Sequence, residues 1–406
     1  MLNRLESYVY NFVKKNPAIK KFLRDIYQGF FSLLATKGFD SDYEVIIRNR
    51  CFFGFHDKSP WSPDGKYLLG HSHSGIGNEP CESIPFVEVS IFEGPNWTER
   101  KAISKTAAFN WQQGAQLQWL SNDEIIFNDF VDDLCVSRVV DASGKDISVY
   151  PFPVAALAPA SRYFASICFA SFGEAMPGYG YSFSGARRSG VPRGEIIIVS
   201  VDSGEIIYSL SRNYLEKFSD LAKRNSDYFI SHLIFSPDAS MLAFMVRLTR
   251  SGRRVESELL IFDVRKKTIS STPFKGIVSH YTFVGNGKLL LFASYLSDEG
   301  FYLFDIESGG VESVGEYLGE RDGHPSSSSN GTVVYDTYPD RRRRQTLFIW
   351  RGGPEKAEPI ASLYSPLKFR DEYRVDLHPR IKEDGSVICI DTSVNGRRSL
   401  ATLRIP

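Results

Sequence analysis

The 406-residue chain balances 48 Lys and Arg against 48 Asp and Glu, so it has no net field to gather nucleic acid or an anionic membrane. Its five cysteines (Cys51, Cys81, Cys135, Cys168, Cys389) are odd in number, widely spaced and form no CxxC, which argues against structural zinc and a disulfide framework. No apolar run approaches the roughly 20 residues of a membrane span, and the start lacks a secretory signal's apolar core, so cytoplasmic residence is expected.

The first predicted element is helical. Asn16 reads as an N-cap with Pro17 in the first turn, and Ile19, Phe22, Leu23, Ile26, Phe30, Leu33 and Leu34 follow at helical spacing. Lys14, Lys15, Lys20, Lys21 and Arg24 flank this stripe. Residues 1–38 are therefore taken as an amphipathic segment outside the main domain. Its apolar face, over 17–36, has two open uses: docking on protein, or peripheral contact with the inner membrane surface.

Residues 39–406 read as all-β. One phrase, SPDGKYLLGHS at 62–72, recurs at 121–130, 158–169, 236–246, 284–294, 329–338 and 382–392, making seven copies. Each reads as inner strand, turn, second strand and third strand, the pattern of a four-stranded propeller blade. The last copy ends in RRSLATLRIP with little left for an outermost strand, and YEVIIR (43–48) can supply it. The expectation is a seven-bladed β-propeller closed by an N-terminal strand, which leaves no open sheet edge at the ring's seam. Residues 171–192, rich in Gly, Ser and aromatics, form an insertion in the third blade that reads either as a binding loop or as a disordered excursion. The RRRR run at 341–344 reads as a solvated hairpin tip.

Histidine placement carries the functional signal. His232, His280, His324 and His378 each precede a turn residue (Ala239, Gly287, Gly331, Gly385) by seven positions, and His56 precedes Gly65 by nine. With side chains alternating along a strand, the offset of two keeps His56 on the same face. Equivalent positions in a propeller meet around its axis, so these five imidazoles are expected to line one end of the channel. The ends of the second strands add His71, His73, Asn128, Asp129, Arg247, Asp336 and Asp391, and the loops add Asp57, Lys58, Gln112, Gln113, Arg321, Asp322 and Asp376. Such a lining can hold a divalent metal on nitrogen and oxygen, move a proton, or grip a carboxylate or phosphate. The competing reading is structural: a His near an inner strand can simply tie blades together. The HxH pair His71 and His73 is weak evidence for a metal by itself. No GxSxG elbow, phosphate loop or HExxH is present.

The phrases GHPSSSSNGTVVYDTYPD (323–340) and DLHPRIKEDGSVICIDTSVNGRRSL (376–400) resemble the TolB-like propellers, and within them the oligogalacturonate lyase type of polysaccharide lyase. HDKSPWSPDG (56–65), NWQQGAQLQWL (110–120) and PGYGY (177–181) resemble relatives associated with bacterial polysaccharide biosynthesis. The resemblance spans most of 43–406 and implies a manganese-type ion held by His324 and His378, with His280 or His232 as the base. It also implies a second His two residues beyond His378, where this chain has Arg380; an arginine there would put positive charge where the ion would be. His56 is the third candidate ligand. Arg380 and Lys58 are expected to orient the substrate, with Asp57, Gln113, Arg247, Asp336 and Asp391 as further contacts. The expected activity is metal- or arginine-assisted lysis of an acidic oligosaccharide or glycan precursor, with no nucleic-acid partner. The alternatives are a non-catalytic glycan- or protein-binding propeller in a polysaccharide assembly complex, and a glycosyl-transferring or hydrolytic enzyme.

Overall fold

The computed structural model describes residues 28, 29, 31, 32, 35–181, 188–249 and 255–405. Most of the helical segment expected at 17–36 lies outside them. No helix among the described residues is long and apolar enough to cross a membrane.

Seven antiparallel sheets form the propeller. The inner strands, in blade order, are Cys51–Phe52, Gln118–Trp119, Ala156–Leu157, Phe229–Phe235, Val278–Val284, Ser326–Ser327 and Arg380–Ile381. Blade 7 continues through Val387–Thr392 and Ser399–Arg404, and Glu44–Asn49 completes it, pairing from Glu44 against Arg404 to Asn49 against Ser399. The closing strand thus adds a full edge of ladder bonds between the two ends of the ring. Just upstream, Phe39–Asp40 pairs with the outer strand of blade 6, Glu358–Tyr364, as a fifth strand.

The repeated turn explains itself locally. In blade 1 Ser62 Oγ donates to Asp64 Oδ1 (2.6 Å) and accepts the Tyr67 N–H (3.0 Å), closing the hairpin with side chains. Ser236 with Asp238 and Ser328 with Asn330 repeat the device. These turns also join blades: the Asp64 N–H donates to Asn122 Oδ1, and the Asp238 N–H to Asn286 Oδ1. Between blades, second and third strands bury continuous Val, Ile, Leu and Phe faces, such as Leu289, Leu291, Tyr302 and Phe304 of blade 5 against Ala243, Met245 and Leu259 of blade 4.

Two regions depart from the sequence reading. The insertion of blade 3 begins as a short helix, Phe169–Ala175, and its far end, Arg188–Ser189, pairs in parallel with blade 2 at Leu134–Cys135. The arginine run is not a solvated tip throughout. Arg343 is buried, donating to the Ser365 carbonyl and hydroxyl and to the Phe369 carbonyl at 3.0 Å each. Arg344 ties the Thr36 and Gly38 carbonyls to blade 6. An RRRR string says nothing of which guanidinium meets free carbonyls, and turn geometry decides it.

Candidate functional site

The five repeat histidines converge. Ring centroids lie 4.1 Å apart for His280 and His324, 4.4 Å for His324 and His378, 5.5 Å for His56 and His324, and 5.8 Å for His232 and His280. Phe55 sits at their centre, within 4.5–6.0 Å of all five rings.

Bulges, rather than simple strand alternation, bring them there. In blade 4 the inner ladder slips between Ser231 and Ile234, and His232 takes a left-handed backbone with φ of 55°. Tyr281 OH anchors that turn by donating to the His232 carbonyl. In blade 5 the slip falls between Val278 and Tyr281, around His280. His378 is left-handed too, at φ of 43°. Such backbone costs about 1–3 kcal/mol at a non-glycine residue, so surrounding contacts must hold it. His56 arrives differently. Between the pairs Phe52–His71 and Trp61–Leu68 the inner strand of blade 1 advances nine residues while its neighbour advances three. Six extra residues therefore leave the ladder and enter the channel, carrying Phe55 and His56 to the axis.

A buried ion pair holds this plug. Asp391 accepts the N–H groups of Phe53 (2.9 Å) and Gly54 (3.0 Å), and Arg380 bridges Asp391 Oδ1 (3.1 Å) and the Gly54 carbonyl (2.9 Å). Arg380 and Asp391 are each 1% exposed. This corrects two expectations, since both groups are held within the plug instead of orienting a substrate; the charge of Arg380 still reaches His378, with which it shares the Gly54 carbonyl. Gly54 has φ of 125°, and a Cβ there would lie 2.6 Å from the Gln113 carbonyl carbon. Gln113 packs its backbone on the plug, and its side chain forms no hydrogen bond to the histidines. Lys58 Nζ is tied to Asp57 Oδ2 at 2.8 Å, and both line the opposite mouth of the channel, so they too differ from the expected substrate contacts.

Hydrogen bonds set each imidazole's free nitrogen. His56 Nδ1 lies 2.7 Å from the Pro325 carbonyl, His378 Nδ1 2.8 Å from the Gly54 carbonyl, and His324 Nδ1 2.8 Å from Asp336 Oδ1. Each Nδ1 is therefore the N–H donor, leaving Nε2 with its lone pair; all three Nε2 atoms are buried without a partner. Asp336 does more than hold one ring. Its oxygens also accept the N–H groups of His324 (2.8 Å) and His378 (3.1 Å), so it is a positioning group and not the expected substrate contact.

Asp376, noticed in the sequence but given no role there, joins them. Its Oδ2 accepts from Arg374 Nε at 2.6 Å, while Oδ1 is buried and unpartnered. Donor atoms of His324, Asp376 and His378 all lie within 4.8 Å of one another. His56 stands outside this compact group, with its ring 6.3 Å from that of His378. The spacing Asp-x-His on one strand entry was the available sequence signal for Asp376.

Electrostatics separate the rings. Burial, reinforced by neighbouring imidazoles, holds His56 and His378 well below the ordinary histidine value. Burial also pulls on His324, but Asp336, Asp376 and Asp322 outweigh it and raise that group. His232 is held well down by burial and by Arg247, whose Nη1 is 3.5 Å from its Nδ1. His280 is lowered by burial and His324, against the pull of Asp322. Ser279 Oγ lies 3.0 Å from His280 Nδ1 and donates to Asp322 Oδ2 at 2.6 Å, so a carboxylate stands behind that ring. Arg247 is buried, donates to Ser257 Oγ, and has no carboxylate within ion-pair distance among the described residues. Tyr179 packs on Phe55 and Tyr338 on His324, covering the ring from outside. Aromatics from an insertion and a hairpin end carry no repeat signal, so the sequence could not assign them here.

The HxH pair packs among aromatic rings away from the five-histidine cluster, with His71 Nδ1 and both ring nitrogens of His73 buried without partners. His71 Nε2 accepts the Ala115 N–H at 3.1 Å and its ring stacks on Phe52, while His73 packs edge-on to Trp111.

No protein-family model matches this chain, and no curated protein matches it. Solved structures do resemble it. An oligogalacturonate lyase in complex with manganese superposes with a TM-score of 0.59 at 13% identity, over 92% of this chain and 98% of that one. The oligogalacturonate lyase of Vibrio parahaemolyticus gives 0.59 at 12% identity, over 91% and 97%. A chain of a mitotic checkpoint complex gives 0.54 at 10%, over 91% and 94%. The class is thus a seven-bladed propeller. In particular, the chain has the fold of the oligogalacturonate lyases, a fold also used by a checkpoint assembly, so activity has to be argued from the site.

Proposed function

We propose that this protein is a metal-dependent enzyme of uronate-type glycans, and that it cleaves them by β-elimination. One observation carries the reading. His324, Asp376 and His378 each bring a possible ligand atom within 4.8 Å of the others, His378 Nε2 lying 4.0 Å from Asp376 Oδ2, and each keeps a buried unpartnered atom (Nε2, Oδ1 and Nε2) while its other polar atom is pinned by a carboxylate, a carbonyl or a guanidinium. Leaving such atoms unpaired costs about 1–3 kcal/mol each, so the arrangement calls for a shared cation. Ligating histidines are usually oriented in this way through their second nitrogen. Neutral imidazoles with one carboxylate suit a divalent transition ion of the manganese-to-zinc series. Such an ion would supply Lewis acidity toward the substrate's carboxylate. His324, His378 and Asp376 would hold it, with His56 facing the same space.

Arg247 supports the acidic substrate. An unpaired, buried guanidinium is a ready partner for a uronate carboxylate, and its charge favours the electron density that builds there when the adjacent C–H is broken. His280 is the better base of the two candidates. Ser279 and Asp322 orient it and Asp322 favours its protonated form against burial, His324 and Arg247, whereas His232 has Arg247 beside it and no such carboxylate. His280 Nε2 would take the proton from the carbon next to the carboxylate. A C=C bond then forms as the neighbouring C–O bond breaks, the leaving oxygen takes a proton from water, and His280 gives its proton to the hydroxide so formed.

The product absorbs in the ultraviolet. Acidic oligosaccharides incubated with manganese-loaded protein should show rising absorbance that is lost in His280→Ala. Stoichiometric metal in wild type should be lost in His324→Ala. Metal-free wild type, or the absence of turnover across a panel of galacturonate, glucuronate and alginate oligomers, would refute the enzyme reading. Saturable binding of the same glycans without turnover would favour a binding propeller.

A further inference from the structure

The chain's zero net charge conceals an uneven distribution. Residues 1–36 carry Arg4, Lys14, Lys15, Lys20, Lys21 and Arg24 against Glu6 and Asp25. The described residues show where this basic segment joins the ring. Phe39 pairs with Leu363, the Tyr364 N–H donates to the Gly38 carbonyl, and the Arg341 guanidinium stands 5.6 Å over the Phe31 ring. Second and third strands meet at the end where inner strands begin, so the 337–343 hairpin of blade 6 lies on the histidine face, and Tyr338 touches His324 there. The segment therefore enters on that face, at the rim of blade 6.

That rim is basic as well. Lys37, Arg341, Arg342, Lys368 and Arg397 are exposed on it, and none forms an ion pair among the described residues. A Cβ at Gly396 would lie 3.9 Å from Lys368 Nζ, so the cations of blades 6 and 7 make one continuous patch. The acids alongside are largely occupied. Asp340 caps the hairpin by accepting the Arg342 and Arg344 N–H groups, Asp40 pairs with Arg344, and Glu372 packs inward on Gly178 of the insertion. Elsewhere on this face the loop tips are acidic, with Glu82 on blade 1, Asp132 and Asp133 on blade 2, and Asp298 and Glu299 on blade 5. Glu320 and Arg321 offset one another between blades 5 and 6.

We propose that the rim of blades 6 and 7, together with the segment joined to it, docks on an anionic lipid surface. A plane of negative charge complements both groups of cations at once. The basic rim repels the basic segment, which disfavours folding back over blades 6 and 7. The apolar stripe from Ile19 to Leu34, flanked by lysines, suits burial in the headgroup boundary of such a surface. The acidic tips of blades 1, 2 and 5 are repelled by it. Contact is therefore confined to one sector, and the ring stands tilted with its histidine mouth open beside the lipid. This placement does not depend on the chemistry of the histidine ring.

The test is co-sedimentation of full-length protein with vesicles of equimolar phosphatidylglycerol and phosphatidylcholine, or of phosphatidylcholine alone. Partitioning onto the anionic vesicles should be at least about tenfold stronger. Raising salt from about 0.1 M to about 1 M shortens the Debye length from about 10 Å to about 3 Å and should release most of the bound protein. Arg341→Glu/Arg342→Glu alters only exposed side chains and should weaken binding at least about tenfold. Lys368→Glu/Arg397→Glu, on the neighbouring loops, should do the same, as should Phe22→Asp/Leu23→Asp in the segment. Asp132→Asn/Asp133→Asn, on the far side of the ring, should leave binding unchanged within about twofold. Absence of co-sedimentation, equal binding to neutral vesicles, or indifference to both rim variants would each overturn the proposal. So would a dimer in vesicle-free solution that Phe22→Asp/Leu23→Asp dissociates, because the segment would then be a protein interface.

Discussion

Removing the Asp391 carboxylate should release the channel plug, and the structure sets the scale of the effect. Asp391→Ala strands the Arg380 guanidinium, 1% exposed, and leaves the N–H groups of Phe53 and Gly54 without their acceptors. Breaking one side of a buried ion pair costs about 3–5 kcal/mol. A double variant, Arg380→Met/Asp391→Leu, removes the stranded charge and should recover much of that loss. It should still fall short of wild type, because two buried N–H donors remain unpaired at about 1–3 kcal/mol each. Urea unfolding of the single and double variants, followed by tryptophan fluorescence, gives the comparison. Metal affinity provides a second readout. Gly54 also supplies the carbonyl that fixes His378 Nδ1, so both variants should bind metal more weakly than wild type even where folded. A single variant within about 1 kcal/mol of wild type would refute the account of a stranded buried charge. A double variant with wild-type stability and metal affinity would show that Asp391 does not hold the plug.

Three further outcomes follow from the same contacts. Gly54→Ala forces a Cβ to within 2.6 Å of the Gln113 carbonyl carbon at a backbone φ of 125°, and should destabilise by about 2 kcal/mol or more in urea unfolding; a neutral result would mean the plug relaxes freely. Asp336→Asn keeps an acceptor but loses the charge behind His324, and should weaken metal binding by about 10–100-fold in a competition titration, with unchanged affinity counting against the site. Burial holds His71 down to about 4, below its unfolded value, so the unfolded chain binds more protons between that value and about 6.5. Stability should therefore fall as pH drops through this window, by about 3 kcal/mol from this ring, and His71→Gln should flatten the slope measured by urea unfolding across pH.

The seven turns and the short final blade made the ring and its seam legible, because both depend on local chemistry that repeats. The convergence of the histidines was legible for a partly mistaken reason. Alternation along ideal strands was the argument, yet His232 and His378 reach the axis through left-handed residues and His56 through six residues outside the ladder. A common offset from the turn survives such bulges because every blade feeds its inner strand from the same end. Roles that depend on a partner from another blade were illegible. Arg380 looks like a free cation in the phrase DLHPR; only the meeting of blades 7 and 1 shows that it serves Gly54 and Asp391. Asp376 was equally hidden, since its value lies in which oxygen Arg374 leaves free.

This division between repeat and exception explains how one channel can hold two chemically different ends. Six blades run their inner strands past the axis as ladders, with single-residue bulges that turn an imidazole inward in blades 4 and 5. Blade 1 alone sends in a longer segment, and its sequence order divides the space. Phe55 and His56 face the imidazoles, while the next two residues, Asp57 and Lys58, face the apolar mouth. A ring of imidazoles with orphaned Nε2 atoms lies on one side of the plug and a closed ion pair on the other. Beside His232, Arg247 carries a charge with no carboxylate partner among the described residues. An acidic substrate entering past Tyr179 and Tyr338 would thus meet an uncompensated cation beside His232 and His280. That is why the carboxylate contact is assigned to Arg247 rather than to Arg380, whose terminal nitrogens are held by Gly54, Cys389 and Asp391.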